Sequence, residues 1–221
     1  MPNTLRASVV ACALFVLCQT GNADSVYNVA INTTQLIGHP AGPFYLYLAF
    51  TDGSGLDDAA NVVTISNVDF GGGSGLGGPT LFGGATGSLE TSVSMTNSSF
   101  ISVFSEQFAP GLDLSFTLGL TSNDEPGGTP DRFTLFLLDS SGVALPTLSP
   151  AADYFLGVDL GSAGPIFDVY GSDPSRAPSE GDPISIPAPT ISAVVPEPAT
   201  CSLLGSVFLA IIFWKRLRRH T

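Results

Sequence analysis

Residues 112–121 read LDLSFTLGLT, and every second residue is apolar: Leu112, Leu114, Phe116, Leu118 and Leu120. Successive side chains of a β-strand point to opposite faces, so this two-residue period places all five on one face. We therefore predict a strand with one buried face. Between the two chain ends no segment shows the 3.6-residue period, with caps at both ends, that an α-helix requires.

Similar runs rich in Val, Ile, Phe, Thr and Tyr recur along the chain, separated by Gly, Pro, Asn and Asp. The predicted strands are Val26–Asn32, Phe44–Thr51, Val62–Phe70, Leu89–Met95, Phe100–Phe108, Leu112–Thr121, Phe133–Asp139, Tyr154–Leu160 and Ile166–Tyr170. Many short strands joined by turn residues are typical of antiparallel sandwiches. We predict an all-β, antiparallel β-sandwich or jelly-roll-like domain over residues 24–171, with helices only in the two terminal segments.

Two segments differ in composition from the predicted strands. Residues 71–87 are rich in glycine and are interpreted as a connection. They include a GxGxxG match at Gly73–Gly78, but Pro79 and more glycine follow where a dinucleotide site needs a helix, so the match is attributed to chance. Residues 172–195 are rich in proline and small polar residues, which predicts a semi-rigid spacer and a domain boundary near Gly171.

The charges are few and strongly biased in sign. The chain has a formal net charge of −12, and all nineteen acids lie between Asp24 and Glu197. Only two basic residues, Arg132 and Arg176, lie in that stretch, which therefore carries −17 and no lysine. Such a surface repels nucleic acid and anionic lipid, so we exclude nucleic-acid partners.

The N-terminal segment has the three parts of a secretory signal peptide. Arg6 and the amino terminus are positive, residues 7–18 are apolar, and Gly21 and Ala23 place small residues before a cleavage site. We predict a signal peptide over residues 1–23. A lipoprotein site at Cys18 is the alternative, but leucine precedes this cysteine where lipid-modified precursors usually have a small residue.

Cysteine is confined to the apolar terminal segments, at Cys12, Cys18 and Cys201. Residues 24–198 therefore hold neither an internal disulfide nor a thiolate metal site or cysteine nucleophile.

The C-terminal end combines three elements in order. Pro196, Glu197 and Pro198 precede an uncharged run, Cys201–Trp214, and a basic cluster closes it: Lys215, Arg216, Arg218 and Arg219. An apolar run closed by basic residues is a stop-transfer signal, with the cluster in the cytoplasm. We predict a transmembrane segment at about 199–214 and a cytoplasmic end at 215–221. The 14-residue run spans only ~21 Å as a helix, against a ~30 Å hydrocarbon core.

These three elements resemble the PEP-CTERM sorting domain of exported proteins in Gram-negative bacteria that make exopolysaccharide. The resemblance implies that exosortase, a membrane thiol protease, recognises the tail and removes it near Pro196-Glu197-Pro198. It implies an inner-membrane single-pass precursor that is then delivered to the cell surface, outer envelope or extracellular matrix. Residues Asn67–Gly78 and Thr129–Asp139 resemble PEP-CTERM ectodomains without an assigned activity, and exopolysaccharide is an implied partner.

Few residues of the middle point to catalysis. His39 is the only histidine outside the tail, no GxSxG elbow exists, and the favoured interpretation of His39 is a solvated loop residue. Paired glycosidase carboxylates remain open, because any two acids can meet in a fold. The tyrosines that could stack on sugar, but are more often core or cross-strand partners, are Tyr45, Tyr47, Tyr154 and Tyr170.

Calcium is the only cofactor for which the sequence offers candidate ligands. Asp52, Asp57 and Asp58 lie in one loop, and Asn123–Glu125 forms a second acidic loop. Neither loop matches the EF-hand pattern, so solvated turns are the alternative. The sequence thus predicts a non-catalytic exported protein. The alternatives are an extracellular carbohydrate-active enzyme and a calcium- or glycan-binding module on the same scaffold.

Overall fold

The computed structural model describes residues 25–53, 55, 61–121, 128–161 and 164–194. In these ranges the chain is all-β, and its one helical element is a turn of 3-10 helix at Thr34–Leu36. No helix of the described ranges has the length and apolar character needed to cross a membrane. The predicted signal peptide, residues 1–23, and the predicted spanning segment, residues 199–214, lie outside them.

The all-β prediction is confirmed, and each predicted strand overlaps an observed one. The strands are β1 (Ser25–Asn32), β2 (Phe44–Thr51), β3 (Val62–Asp69), β4 (Ser74–Gly75), β5 (Thr80–Phe82), β6 (Gly84–Gly87), β7 (Ser92–Thr96), β8 (Ile101–Ala109), β9 (Asp113–Leu120), β10 (Asp131–Leu138), β11 (Leu156–Gly161), β12 (Gly164–Val169) and β13 (Thr190–Ala193).

Within the described ranges the strands form two antiparallel sheets. The six-stranded sheet has the order β13-β1-β9-β3-β7-β6. The seven-stranded sheet has the order β12-β11-β10-β2-β8-β4, with β5 also paired to β8. Apolar side chains of both sheets form one buried cluster, an arrangement consistent with a β-sandwich.

The core follows from the two-residue alternation. In β9 the side chains of Leu114, Phe116, Leu118 and Leu120 are buried, as predicted. Each such side chain contributes about 1.5–3 kcal/mol when fully buried. Leu112 differs from the prediction, because it is 61% exposed and precedes the strand. Its backbone N–H donates to Gly71 O, so Leu112 belongs to a turn.

The glycine-rich segment 71–87 is not a plain connection, because it contains β4, β5 and β6. These short strands pair with β8 and β7 at one edge of each sheet. Glycine permits the close approach of the backbones: a Cβ on Gly73 would lie 2.8 Å from Gly111 N. The GxGxxG residues at Gly73–Gly78 thus lead into strand rather than helix.

The predicted spacer at residues 172–195 is also wrong over its described part, because this segment belongs to the domain. Ile184 and Ile186 are buried in the core, and β13 pairs with β1. A proline lacks only its own N–H donor, so the other residues of a proline-rich segment can still form backbone hydrogen bonds. Ile186 N, for example, donates to Ser172 Oγ. The domain therefore continues past the predicted boundary near Gly171, to Val194.

Asp139 attaches the 172–194 segment to the end of β10. The carboxylate is buried and accepts hydrogen bonds from the N–H groups of Ser141, Val143 and Ser179. Burial opposes ionisation and by itself raises the pKa of Asp139. The hydrogen bonds from Ser179, Val143 and Ser141 outweigh it and hold the pKa below its ordinary value.

Truncating a buried isoleucine of the 172–194 segment tests its role in the core. In a chain of residues 25–194, Ile186→Ala lowers the free energy of unfolding by about 2–4 kcal/mol, because it leaves a cavity in the apolar cluster. Ile37→Ala is the control, since Ile37 is 51% exposed, and it changes that energy by less than about 0.5 kcal/mol. Urea denaturation measures both. Equal effects of the two substitutions would contradict the packing of the 172–194 segment into the core.

The lowered pKa of Asp139 has a defined consequence for acid stability. A carboxyl with a lowered pKa in the folded state contributes stability above its unfolded pKa, about 3.9, and loses it as the pH falls through the folded pKa. We expect the stability advantage of the wild type over Asp139→Asn to be greatest near neutral pH and to shrink below about pH 4. Urea denaturation at several pH values measures it. An advantage that is constant over the acidic range refutes this role.

Candidate functional site

Arg132 lies on the outer face of the seven-stranded sheet because β10 alternates strictly. The side chains of Asp131, Phe133, Leu135 and Leu137 point inward and are buried, which turns Arg132 outward. The residues directly opposite Arg132 are Thr51 on β2 and Asp159 on β11.

The guanidinium of Arg132 is held by three groups from two other strands and a loop. Nη1 donates to Asp159 Oδ1 at 2.6 Å, and Nη2 donates to Asp168 Oδ2 at 3.0 Å. Nη2 also lies 3.0 Å from the Tyr154 hydroxyl, and Cζ lies 5.2 Å from the centroid of the Tyr154 ring. A cation over an aromatic face is attracted by the ring quadrupole, so the ring and both carboxylates fix the side chain together.

Gly157 makes this arrangement possible. It lies on β11 directly opposite Asp168, beneath the path that Arg132 takes to β12. A Cβ at Gly157 would lie 2.6 Å from Arg132 Nη2 and 3.0 Å from the Tyr154 ring. The space left by the missing side chain is therefore filled by the guanidinium and the ring.

The electrostatics keep the group ionised. Desolvation by itself lowers the pKa of Arg132, but the hydrogen bonds that it donates to Asp168 and Asp159 outweigh this effect and raise the pKa. Partial desolvation, a hydroxyl contact with Tyr154 and the charge of Asp168 raise the pKa of Tyr170, against the opposing charge of Arg132. One guanidinium and two carboxylates leave a formal charge of −1, with donors and acceptors side by side.

Aromatic rings continue from this group across the sheet. The ring centroids are 5.8 Å apart for Tyr47 and Phe136, 6.2 Å for Phe136 and Tyr154, and 5.4 Å for Tyr154 and Tyr170, all edge to face. Tyr45 lies on the same strand as Tyr47, opposite Leu138. The structure thus brings three of the four predicted tyrosines together as cross-strand and neighbouring partners.

A cavity with a volume of about 520 Å³ lies next to Arg132 on the outer face of the seven-stranded sheet. Its lining includes Thr51, Thr129, Pro130, Arg132, Thr134 and Asp159. We call these six residues, with Tyr154 and Asp168, the Arg132 face.

The sequence patterns did not single out Thr51, Thr134, Asp159 or Asp168. The sequence feature that could have pointed to this group is that Arg132 is one of only two basic residues between Asp24 and Glu197.

His39 has a structural position. Its Nδ1 accepts a hydrogen bond from Ala41 N at 3.2 Å, and its Nε2 lies 3.0 Å from the carbonyl oxygen of Asp182. Both contacts are satisfied by the neutral ring that carries its proton on Nε2. His39 therefore ties the 172–194 segment to the turn before β2.

Asp52 is buried at one end of the sandwich rather than solvated. Its Oδ1 accepts from Gly55 N at 2.8 Å. Nearby, buried Asp131 accepts from Gly53 N and Asn61 Nδ2, both at 2.9 Å. These bonds close the loop after β2.

The other predicted calcium ligands, Asp57, Asp58 and Asn123–Glu125, lie outside the described residues. Among the residues that the structure describes, no three His, Cys, Asp or Glu side chains form a metal-ligating group. Calcium binding stays a prediction of the sequence.

Glu106 is a buried carboxyl that the sequence patterns missed, because it occupies an inward position of β8 between Phe104 and Phe108. Its Oε2 accepts from Leu89 N at 2.9 Å. Its Oε1 has no hydrogen-bond partner in the described part of the chain. Such a group is costly in a core, since burying an unpaired polar atom costs about 1–3 kcal/mol.

The sorting motif, Pro196-Glu197-Pro198, and the basic cluster, residues 215–219, lie outside the described ranges. No known protein family, no curated protein and no solved structure matches this chain.

A methyl group at Gly157 tests the geometry of Arg132. Gly157→Ala displaces the guanidinium and the Tyr154 ring, so we expect it to lower the free energy of unfolding by on the order of 1 kcal/mol. Gly119→Ala on β9 is the matched control, because a Cβ there meets Thr64 only at 3.7 Å. Urea denaturation compares them. If Gly157→Ala is no more destabilising than Gly119→Ala, Arg132 does not lie across Gly157.

Proposed function

We propose that this chain is an exported, non-catalytic protein of the cell surface or extracellular matrix, delivered by a PEP-CTERM tail and associated with exopolysaccharide. One observation carries the proposal: Pro196-Glu197-Pro198, an uncharged run and a basic cluster follow one another in the last residues of the sequence. The stop-transfer logic of an apolar run closed by basic residues supports it.

The folded domain supports a role as cargo of this tail. β13 ends at Ala193, so only Val194 and Val195 separate the last strand from Pro196 in the sequence. Prolines on both sides of Glu197 disfavour helix at that point, which suits recognition of an extended segment by a protease. An exosortase-type membrane protease is the proposed partner, and Glu197 is the proposed recognition residue.

The proposed absence of catalysis is supported by the bonding of the candidate residues. His39 holds a turn, with its two nitrogens directed to Ala41 N and Asp182 O. Asp159 and Asp168, two carboxylates on neighbouring strands, both accept from Arg132. A glycosidase needs one carboxyl as a proton donor, and two carboxylates that share a guanidinium are not arranged for it. A carbohydrate-active enzyme is therefore the less favoured alternative.

A jelly-roll-like topology is the finer form of the proposed fold. The chain alternates between the sheets, with β1, β3, β7 and β9 in the six-stranded sheet and β2, β8 and β10 in the other. Strands that cross repeatedly between two antiparallel sheets are typical of jelly rolls.

Substitution of the recognition residue tests the sorting proposal. In the native host, Glu197→Ala leaves the tail uncleaved, whereas Glu90→Ala, at an exposed glutamate of the domain, leaves processing unchanged. Intact mass spectrometry of the recovered protein distinguishes a shortened chain from one that still ends at Thr221. Wild-type protein that keeps Thr221 in cells with an active sorting protease contradicts the proposal.

A further inference from the structure

We infer that the cavity beside Arg132 binds a segment of an uncharged polysaccharide. The inference rests on the proposed function, because it concerns a domain that meets extracellular glycans. The cavity lies on the outer face of the seven-stranded sheet, and its volume of about 520 Å³ is within the range of roughly 300–1,000 Å³ that is usual for ligand pockets.

The lining matches the hydrogen-bonding of sugar hydroxyls, each of which both donates and accepts. Arg132 supplies N–H donors, and Asp159 supplies a carboxylate acceptor. The Thr51 hydroxyl can do both, and the Thr134 hydroxyl, which donates to the Ala49 carbonyl oxygen at 3.4 Å, offers an acceptor. Within the described residues, the hydrogen bonds of Arg132 use three of its five N–H groups, so donors remain for a ligand.

The same lining offers apolar surface for the C–H groups of a sugar ring. Pro130 lies in the cavity wall, and the ring of Tyr154, whose centroid is 5.2 Å from Arg132 Cζ, lies next to the lining without being part of it. A pocket that is mostly apolar, with a few convergent polar groups, suits a ligand with both kinds of surface.

Charge selects among ligands of this chemistry. Residues 24–197 carry a formal charge of −17, so polyanions such as uronate chains are repelled. The cavity wall pairs Arg132 with Asp159, so these two groups add no net charge that would attract a bare cation. A chain of neutral hexoses or pentoses satisfies both conditions.

The site is organised before a ligand arrives. Three hydrogen bonds and the Tyr154 ring hold Arg132, and Asp159 is held by the same guanidinium. Binding therefore orders few side chains, which reduces the entropy lost on association. The outer face of the six-stranded sheet provides a comparison, because Thr64 presents a hydroxyl there between Ser94 and Gly119 on the neighbouring strands.

Ligand binding is tested on the full-length chain in a zwitterionic detergent without a sugar headgroup. Saturation-transfer NMR is recorded with neutral hexasaccharides of glucose, mannose and xylose, and with a galacturonate hexamer. We expect at least one neutral hexasaccharide to bind and the galacturonate hexamer not to bind. Binding of the galacturonate hexamer more tightly than of any neutral one, or no binding of any neutral hexasaccharide, overturns the inference.

Two variants locate the binding. Thr134→Val removes one hydroxyl at constant shape and weakens binding by roughly three- to tenfold, the effect of one lost hydrogen bond. Arg132→Gln weakens it by at least tenfold. Thr64→Val is the matched control on the other sheet and leaves the affinity unchanged. Equal effects of Thr134→Val and Thr64→Val overturn the inference. Normal removal of the tail with no glycan binding refutes this inference alone and leaves the sorting proposal standing.

Discussion

The apolar layer between the two sheets determines where every other group lies, because the alternation that buries Phe133 also turns Arg132 outward. A one-residue slip in the register of β10 would exchange the two faces and place a guanidinium in the core. Residues 24–198 contain no cysteine, so no disulfide assists this register. Burial of Leu and Phe side chains from both sheets must therefore hold it.

The 172–194 segment completes this layer from outside the regular alternation. Ile184 and Ile186 enter the core, while Asp139 and His39 bind the segment through Ser179 and Asp182. This packing leaves a short distance along the chain between the folded domain and the proposed sorting motif. The proposed sorting motif begins within a few residues of a paired strand in the sequence, so the protease proposed to remove the tail would work close to the folded domain.

The sequence predicted the long strands well, because alternation such as that of Leu114 to Leu120 is a local signal. It did not predict β4–β6 or β13, because glycine and proline carry little of that signal and their pairing depends on distant strands. The tyrosines were recognised as candidates. Their meeting with Arg132, Asp159 and Asp168 could not be predicted, since it depends on the order of β10, β11 and β12 in the sheet.

Backbone amide hydrogen exchange of the full chain, resolved by residue, tests most directly whether one domain extends to Val194. Three N–H groups decide it: Ser172 N donates to Ile186 O, Ile186 N to Ser172 Oγ, and Val194 N to Val26 O. We predict slow exchange at Ser172 and Ile186, comparable to that of β9, and measurable protection at Val194. Exchange at the rate of an unstructured peptide throughout residues 172–194 would contradict the account.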